Sequence, residues 1–278
     1  MKTAVCFNGL VGSTGGKSSD LQGDPKKCFE ISSELYKENI LSGNDVDIFV
    51  HSWSTNMKDD ILETYKPKKH LIEEQIIFDV PEHVRGEHIR KQGHYSRWYS
   101  AKKCLELKSE YENENNFRYD CVMLARFDLA WQSDLIFEYH DQEYFWTGRW
   151  PRKVHNDNVL SDKEYWKLSK SPYVYNDEIK QWIYIDLKTR WWGYPHNRDG
   201  LLGTWFFSNS ETMDKFGELY DNLDKYTSDG NCPNDRSGRI SNHQLSLHHL
   251  KQTGLLDKLK FCEKNWHDDN PTVSRKYF

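Results

Sequence analysis

The sequence predicts an α/β protein built on a mostly parallel central sheet with helices on both faces. Three observations predict it. The stretch Tyr119 to Trp131, YDCVMLARFDLAW, holds an apolar run from Cys121 to Ala125 with neither a helical nor an alternating period, the mark of a strand covered on both faces. Ahead of it, strand and helix patterns alternate as βαβαβ, and strands joined by helical crossovers run parallel. The strands end in polar tips that such a topology gathers at one carboxyl edge: Asn8 and Gly9 after the first, His51 and Ser52 after the second, Arg126 and Asp128 after the run Cys121 to Ala125. Ligands of open α/β sheets bind at that edge. Arg126 and Asp128, two positions apart, point to the same side of their strand, as a candidate site or as an ion pair that only satisfies itself.

The elements follow in order. Lys2 to Phe7 is a first strand. A Gly/Ser loop, NGLVGSTGGKSSD, leads to a helix opened by Asp24 as N-cap and Pro25 at its first position, with Phe29, Tyr36 and Ile40 at helical spacing until Gly43. Val46 to Val50 is a second strand, Met57 to Tyr65 a short helix, and Glu74 to Val80 a third strand closed by Pro81. The helix from Ile89 to Glu112 carries Tyr95, Trp98, Ala101 and Leu105 as its core seam, and the polar stretch Glu110 to Arg118 reads as its solvated end. Beyond Trp131, strands are predicted at Tyr144 to Trp150, at Trp182 to Leu187 and within Asp199 to Ser210. Ser210 is the expected cap of a helix over Met213 to Tyr226, and Asn242 to Leu250 is a last helix. Its His248 and His249 read as surface or packing residues.

At 278 residues, without a Pro/Gly/Ser linker or repeat, the chain reads as a single domain with a sizeable core. Its net charge of −5 is spread through interspersed acids and bases, which argues against a nucleic-acid partner. Six cysteines form no CxxC pair and no signal peptide precedes them, so they read as reduced thiols of a cytoplasmic protein. No apolar run approaches the ~20 residues of a membrane span, in keeping with a mean hydropathy of −0.89. Eleven Trp and sixteen Tyr are many; such rings fit the apolar faces of sugars, and they also fill cores.

The glycine-rich loop invites comparison with a phosphate-binding GxxxxGK[ST] motif over Gly16, Lys17 and Ser18. Val11 then stands where the first glycine belongs, and Ser18, Ser19, Gly23 and Pro25 delay the helix that should begin at the lysine. A loop lying over a nucleotide and a plain surface loop remain the other readings.

Taken together, TAVCFNGL, VDIFVHSWS, HYSRWYSAKKCLELKSEYE, YDCVMLARFDLAW and GTWFFSNSETMDKFGELY resemble, in order and over the whole length, the GT-A class of nucleotide-sugar glycosyltransferases. The resemblance is in particular to the small enzymes of phages, large algal viruses and surface-polysaccharide gene sets. The resemblance implies a GT-A-like, Rossmann-type α/β/α sandwich over residues 1–278, with a nucleotide-binding half to about 132 and an acceptor-binding half from about 133. It implies transfer of a sugar from a nucleoside-diphosphate sugar such as a UDP-sugar to a glycan or other hydroxyl acceptor, assisted by Mn²⁺ or Mg²⁺.

By the same resemblance, Asp128 matches the second acid of the DxD metal motif, and the chain departs from the pattern by carrying Arg126 at the first. His267, with His155 behind it, matches the late histidine recruited to the metal. Asn8, Gly9, Ser13, Thr14 and Lys17 would approach the nucleotide and its phosphates, with Tyr95, Arg97 and Arg126 reaching base or phosphate. Asp199 would be the base of an inverting reaction, and Trp191, Trp192 and Trp205 would line the acceptor side or fill the core. The competing functions are a phosphoryl or sulfuryl transferase using Lys17 with Asp128, and an inactive sugar-binding module.

Overall fold

The computed structural model describes residues 1–12, 24–148, 200–228 and 240–262, and the backbone of short strands between 150 and 192. The first half reads β1 (Thr3–Gly9), α1 (Pro25–Tyr36), β2 (Val46–Ser52), α2 (Lys58–Tyr65), β3 (Lys69–Ile72), α3 (His88–Asn115) and β4 (Cys121–Arg126). Then come β5 (Phe145–Thr147), β6 (Trp150–His155), β7 (Asn158–Val159), β8 (Tyr173–Asn176), β9 (Gln181–Tyr184) and β10 (Lys188–Trp192). The described chain closes with β11 (Trp205–Ser208), α4 (Ser210–Gly217), α5 (Leu223–Thr227), α6 (Asn242–Gln252) and β12 (Leu259–Phe261).

Seven strands form one sheet in the order β12-β5-β11-β4-β1-β2-β3. It is mostly parallel; β11 alone among these strands runs antiparallel to its neighbours, β4 and β5. The chain starts in the middle at β1, moves outward to β3, and returns through α3 to lay β4 on the other side of β1. The order therefore reverses between β1 and β4, which opens a crevice at their carboxyl ends. Outside this sheet, β10, β6 and β7 form an antiparallel sheet, and β8 pairs with β9.

The period of two in each central strand builds two cores, one on each face. Ala4, Cys6, Val122 and Leu124 face the seam of α3 together with α4 and α6. Val5, Phe7, Met123 and Ala125 face α1 and α2. The expected α/β sandwich with helices on both faces is what forms. The Asp24 carboxylate caps α1 by accepting from the N–H groups of Lys26 and Lys27, and Pro25 stands at its first position. No helix among the described residues is long and apolar enough to cross a membrane. The five described cysteines are buried, and Cys232 lies outside the described residues.

Three local expectations need correction. The third strand is Lys69–Ile72, and Glu74–Val80 is irregular. There the Gln92 amide bonds both the N–H and the C=O of Phe78, at 2.8 and 2.6 Å, taking the two groups that a ladder would use, while Ile77 stands 85% exposed. The cap of α4 is Asn209, whose side chain accepts from Thr212 N–H, and the expected helix to Tyr226 is broken after Gly217. Ser210 instead joins a buried cluster with Lys108 and Glu112, so the stretch expected to be solvated at the end of α3 contains a fully buried carboxylate.

Candidate functional site

A cleft of about 250 Å³ opens where the strand order reverses, walled by Asn8, Gly9 and Gly12 from β1 and its loop, by Arg126 and Asp128 from β4, and by Arg97 from α3. The parallel register sets Asn8 opposite Arg126, and the Asn8 amide donates to the Ala125 carbonyl at 2.8 Å. Gly9 ends β1 at φ +95°, a conformation that favours glycine. Its N–H donates to Ser100 Oγ at 2.8 Å, and its carbonyl accepts from Ser52 Oγ and the Trp53 N–H. The end of β1 is therefore held from β2 and from α3.

At the end of β4 the alternation continues for two residues. Phe127 turns inward and stacks on Phe7, with ring centroids 5.2 Å apart, so Arg126 and Asp128 both turn toward the cleft. The backbone of Arg126 is held on both sides: its N–H donates to Thr204 O, and its carbonyl accepts from Tyr36 Oη at 2.6 Å. The guanidinium grips Asp128 with two bonds, Nε to Oδ1 at 2.8 Å and Nη2 to Oδ2 at 2.5 Å. Asp128 is only 8% exposed, while the Arg126 side chain remains 35% exposed.

Arg97 is the third charge. Burial pushes its guanidinium down to about 9, and Arg126 adds repulsion that the Asp128 carboxylate opposes; at neutral pH it remains a cation. It makes no hydrogen bond or ion pair with a described residue, and its group lies 5.0 Å from the Trp98 ring centroid. A Cβ on Gly203 would stand 3.3 Å from Arg97 Nη2, so the missing side chain leaves the guanidinium its space. Burial, with Asp128 adding to it, pushes the Cys28 thiol up to about 12, which keeps that neighbour neutral.

Of the residues expected at the site, Asn8, Gly9, Arg97, Arg126 and Asp128 come together. Tyr95 does not: its ring lies in the core and its hydroxyl donates to Asp224 Oδ1 at 2.9 Å. Positions 95 and 97 are two apart on a helix and so face different ways. Trp205, expected on the acceptor side or in the core, is buried in the core face shared with Trp131. Ser13, Thr14, Lys17, Asp199 and His267 lie outside the described residues, and His155, Trp191 and Trp192 are described only as backbone in β6 and β10. The helix that follows the first loop opens at Pro25 and not at Lys17.

Sequence reading missed Leu10, Trp53, Gln75, Gly93, Ser96 and Asn242 in the wall. A signal was present in α3, where Gly93, Ser96 and Ser100 recur at spacings of three and four as a stripe of small residues beside the aromatic seam.

Among the described residues one carboxylate, Asp128, lines the cleft, each of its oxygens accepting one bond from Arg126, and no group of three His, Cys, Asp or Glu side chains converges. The fold and site together define an α/β sandwich with a cationic cleft at its switch point. No family model matches the chain, and no curated protein matches it in sequence.

Proposed function

We propose that the protein is a glycosyltransferase of the GT-A kind, moving a sugar from a nucleoside-diphosphate sugar to a hydroxyl acceptor such as a glycan. The observation that carries this reading is the juxtaposition of Arg97 with the Arg126–Asp128 pair in a cleft at the reversal of strand order. In glycosyl transfer the bond from the anomeric carbon to the phosphate oxygen breaks, and the acceptor oxygen forms the new bond. Negative charge grows on the departing diphosphate, and fixed guanidinium groups in a half-buried cleft stabilise that charge as it develops. In an inverting course the acceptor proton passes to a carboxylate, the role proposed for Asp199. Gly9 and Gly12 bring bare backbone to the cleft wall, which suits close approach of a nucleotide.

The test is a thermal-shift panel of UDP-, GDP-, CMP- and dTDP-sugars, followed by assay of nucleotide release with a hydroxyl acceptor. A ligand at a hundredfold its Kd stabilises by about 2.7 kcal/mol, an increase in Tm of roughly 5–10 °C for a chain near this size. A melt unmoved by the whole panel would remove the basis of the transferase reading.

A further inference from the structure

The charged wall of the cleft is out of balance. Arg126 gives two of its five N–H donors to Asp128 and keeps three. Arg97 makes no hydrogen bond to any described residue. Among the described residues one carboxylate thus stands with two guanidinium groups, which leaves one positive charge over in a half-buried space. Leaving a cation partly desolvated without a counter-charge is costly. A cleft that keeps one at its wall is matched to a ligand that brings negative charge.

Asp128 is the only carboxylate in this wall among the described residues, and both of its oxygens are already held by Arg126.

We infer that Arg97 and Arg126 bind the diphosphate of the ligand directly, with no divalent cation between, and that Asp128 is a positioning residue that aims Arg126. This shares its cleft with the proposed function and rests on that reading for the identity of the ligand, but not for the way the anion is held. Two planar forks replace the ion: the free donors of Arg126 and those of Arg97 match phosphate oxygens in pairs, which a point charge does not.

The experiment is isothermal titration of inorganic pyrophosphate and of UDP into the full chain, in EDTA and again in Mg²⁺. Pyrophosphate is expected to bind in EDTA within about threefold of its affinity in Mg²⁺. Arg97→Gln is expected to weaken it by about tenfold or more, and Arg97→Lys to recover only part, since lysine lacks the fork. The ligand-free melt of Arg97→Gln should be unmoved or raised, because an uncompensated charge has been removed; a structural role for Arg97 would lower it. Asp128→Asn should weaken binding equally in both buffers.

Binding that requires Mg²⁺, an Asp128→Asn variant that loses only a metal-dependent part, unchanged affinity in Arg97→Gln, or no pyrophosphate binding in either buffer would each overturn the inference. Metal-free pyrophosphate binding without any nucleotide-sugar response would leave it standing and remove the transferase reading. Sugar transfer that occurs only with added metal would do the reverse.

Discussion

His51 Nδ1 lies 2.7 Å from Ser100 Oγ, and the same hydroxyl accepts the N–H of Gly9, so a buried imidazole at the tip of β2 and a helix serine together fix the end of β1. The other ring nitrogen lies 3.1 Å from Glu73 Oε1. Burial holds the His51 pKa below its ordinary value despite Glu73, which keeps the ring neutral. A neutral ring that donates from Nε2 to Glu73 and accepts at Nδ1 from Ser100 satisfies every member of the chain. Ser100→Ala removes the hydroxyl partner of the Gly9 N–H and of the fully buried His51 ring, and is expected to cost about 1–3 kcal/mol. Urea denaturation measures that loss, and the pyrophosphate affinity should fall with it. An unchanged urea midpoint would show that Gly9 is held by other means.

Gly200 stands at φ +76°, and a Cβ there would lie 2.0 Å from the carbonyl oxygen of His243. The loop is docked on α6, since the Leu201 N–H donates to that same carbonyl at 2.9 Å. Both the backbone angle and the contact oppose any side chain, so Gly200→Ala is expected to cost about 3 kcal/mol or more. Position 199, which carries the proposed base, is its neighbour. Transfer rate should therefore fall by more than the loss of folded protein explains, as measured on samples corrected for the folded fraction.

Lys108 is fully buried, and its Nζ touches Glu112 at 2.9 Å, Ser210 at 2.7 Å and Asp214 at 2.5 Å, tying α3 to α4. Lys108→Ala leaves the Glu112 carboxylate buried with less compensation and is expected to destabilise by about 3–5 kcal/mol. Pairing Lys108→Met with Glu112→Gln should recover part of this, because the buried charge goes and the acceptor for the Tyr119 N–H stays. Equal melting temperatures for the single and double variants would mean that packing, and not charge, sets the cost.

Burial pushes His94 and His249 down to about 4, each with Nε2 donating to a backbone carbonyl, Ile240 O and Lys215 O respectively. The unfolded chain takes up these protons near pH 6.5, ahead of the folded one. Their neutral forms therefore contribute full stability above about pH 6.5, and this is lost as the pH falls from there toward 4. By pH 5 the loss is expected to reach about 2 kcal/mol for each. Tm recorded from pH 8 to 5 should fall only in the lower part of that range, and His94→Gln should flatten the slope. A slope unaltered in that variant would assign the acid sensitivity to other groups.

Rules that act within a few residues were sufficient for much of the fold. Asp24 followed by Pro25 starts a helix because the capping carboxylate and the fixed proline angle act on the adjacent turn, and α1 begins there. The unbroken apolar run Cys121–Ala125 demanded a strand covered on both faces, and each face of β4 has its own core. The same period, carried past the strand, turned Arg126 and Asp128 together. Groups that meet across the chain were decided only in the folded state. Gln92 takes the backbone of Phe78 from fourteen residues away and removes a strand that the local composition favours. Glu112 is solvated or buried according to whether Lys108 and Ser210 arrive beside it. Arg97 looks like any amphipathic arginine until α3 crosses the end of β1, where the fold sets it in one cleft with the Arg126–Asp128 pair. Charge in a low-dielectric space depends on every neighbour within a few ångströms, and linear order does not specify those neighbours.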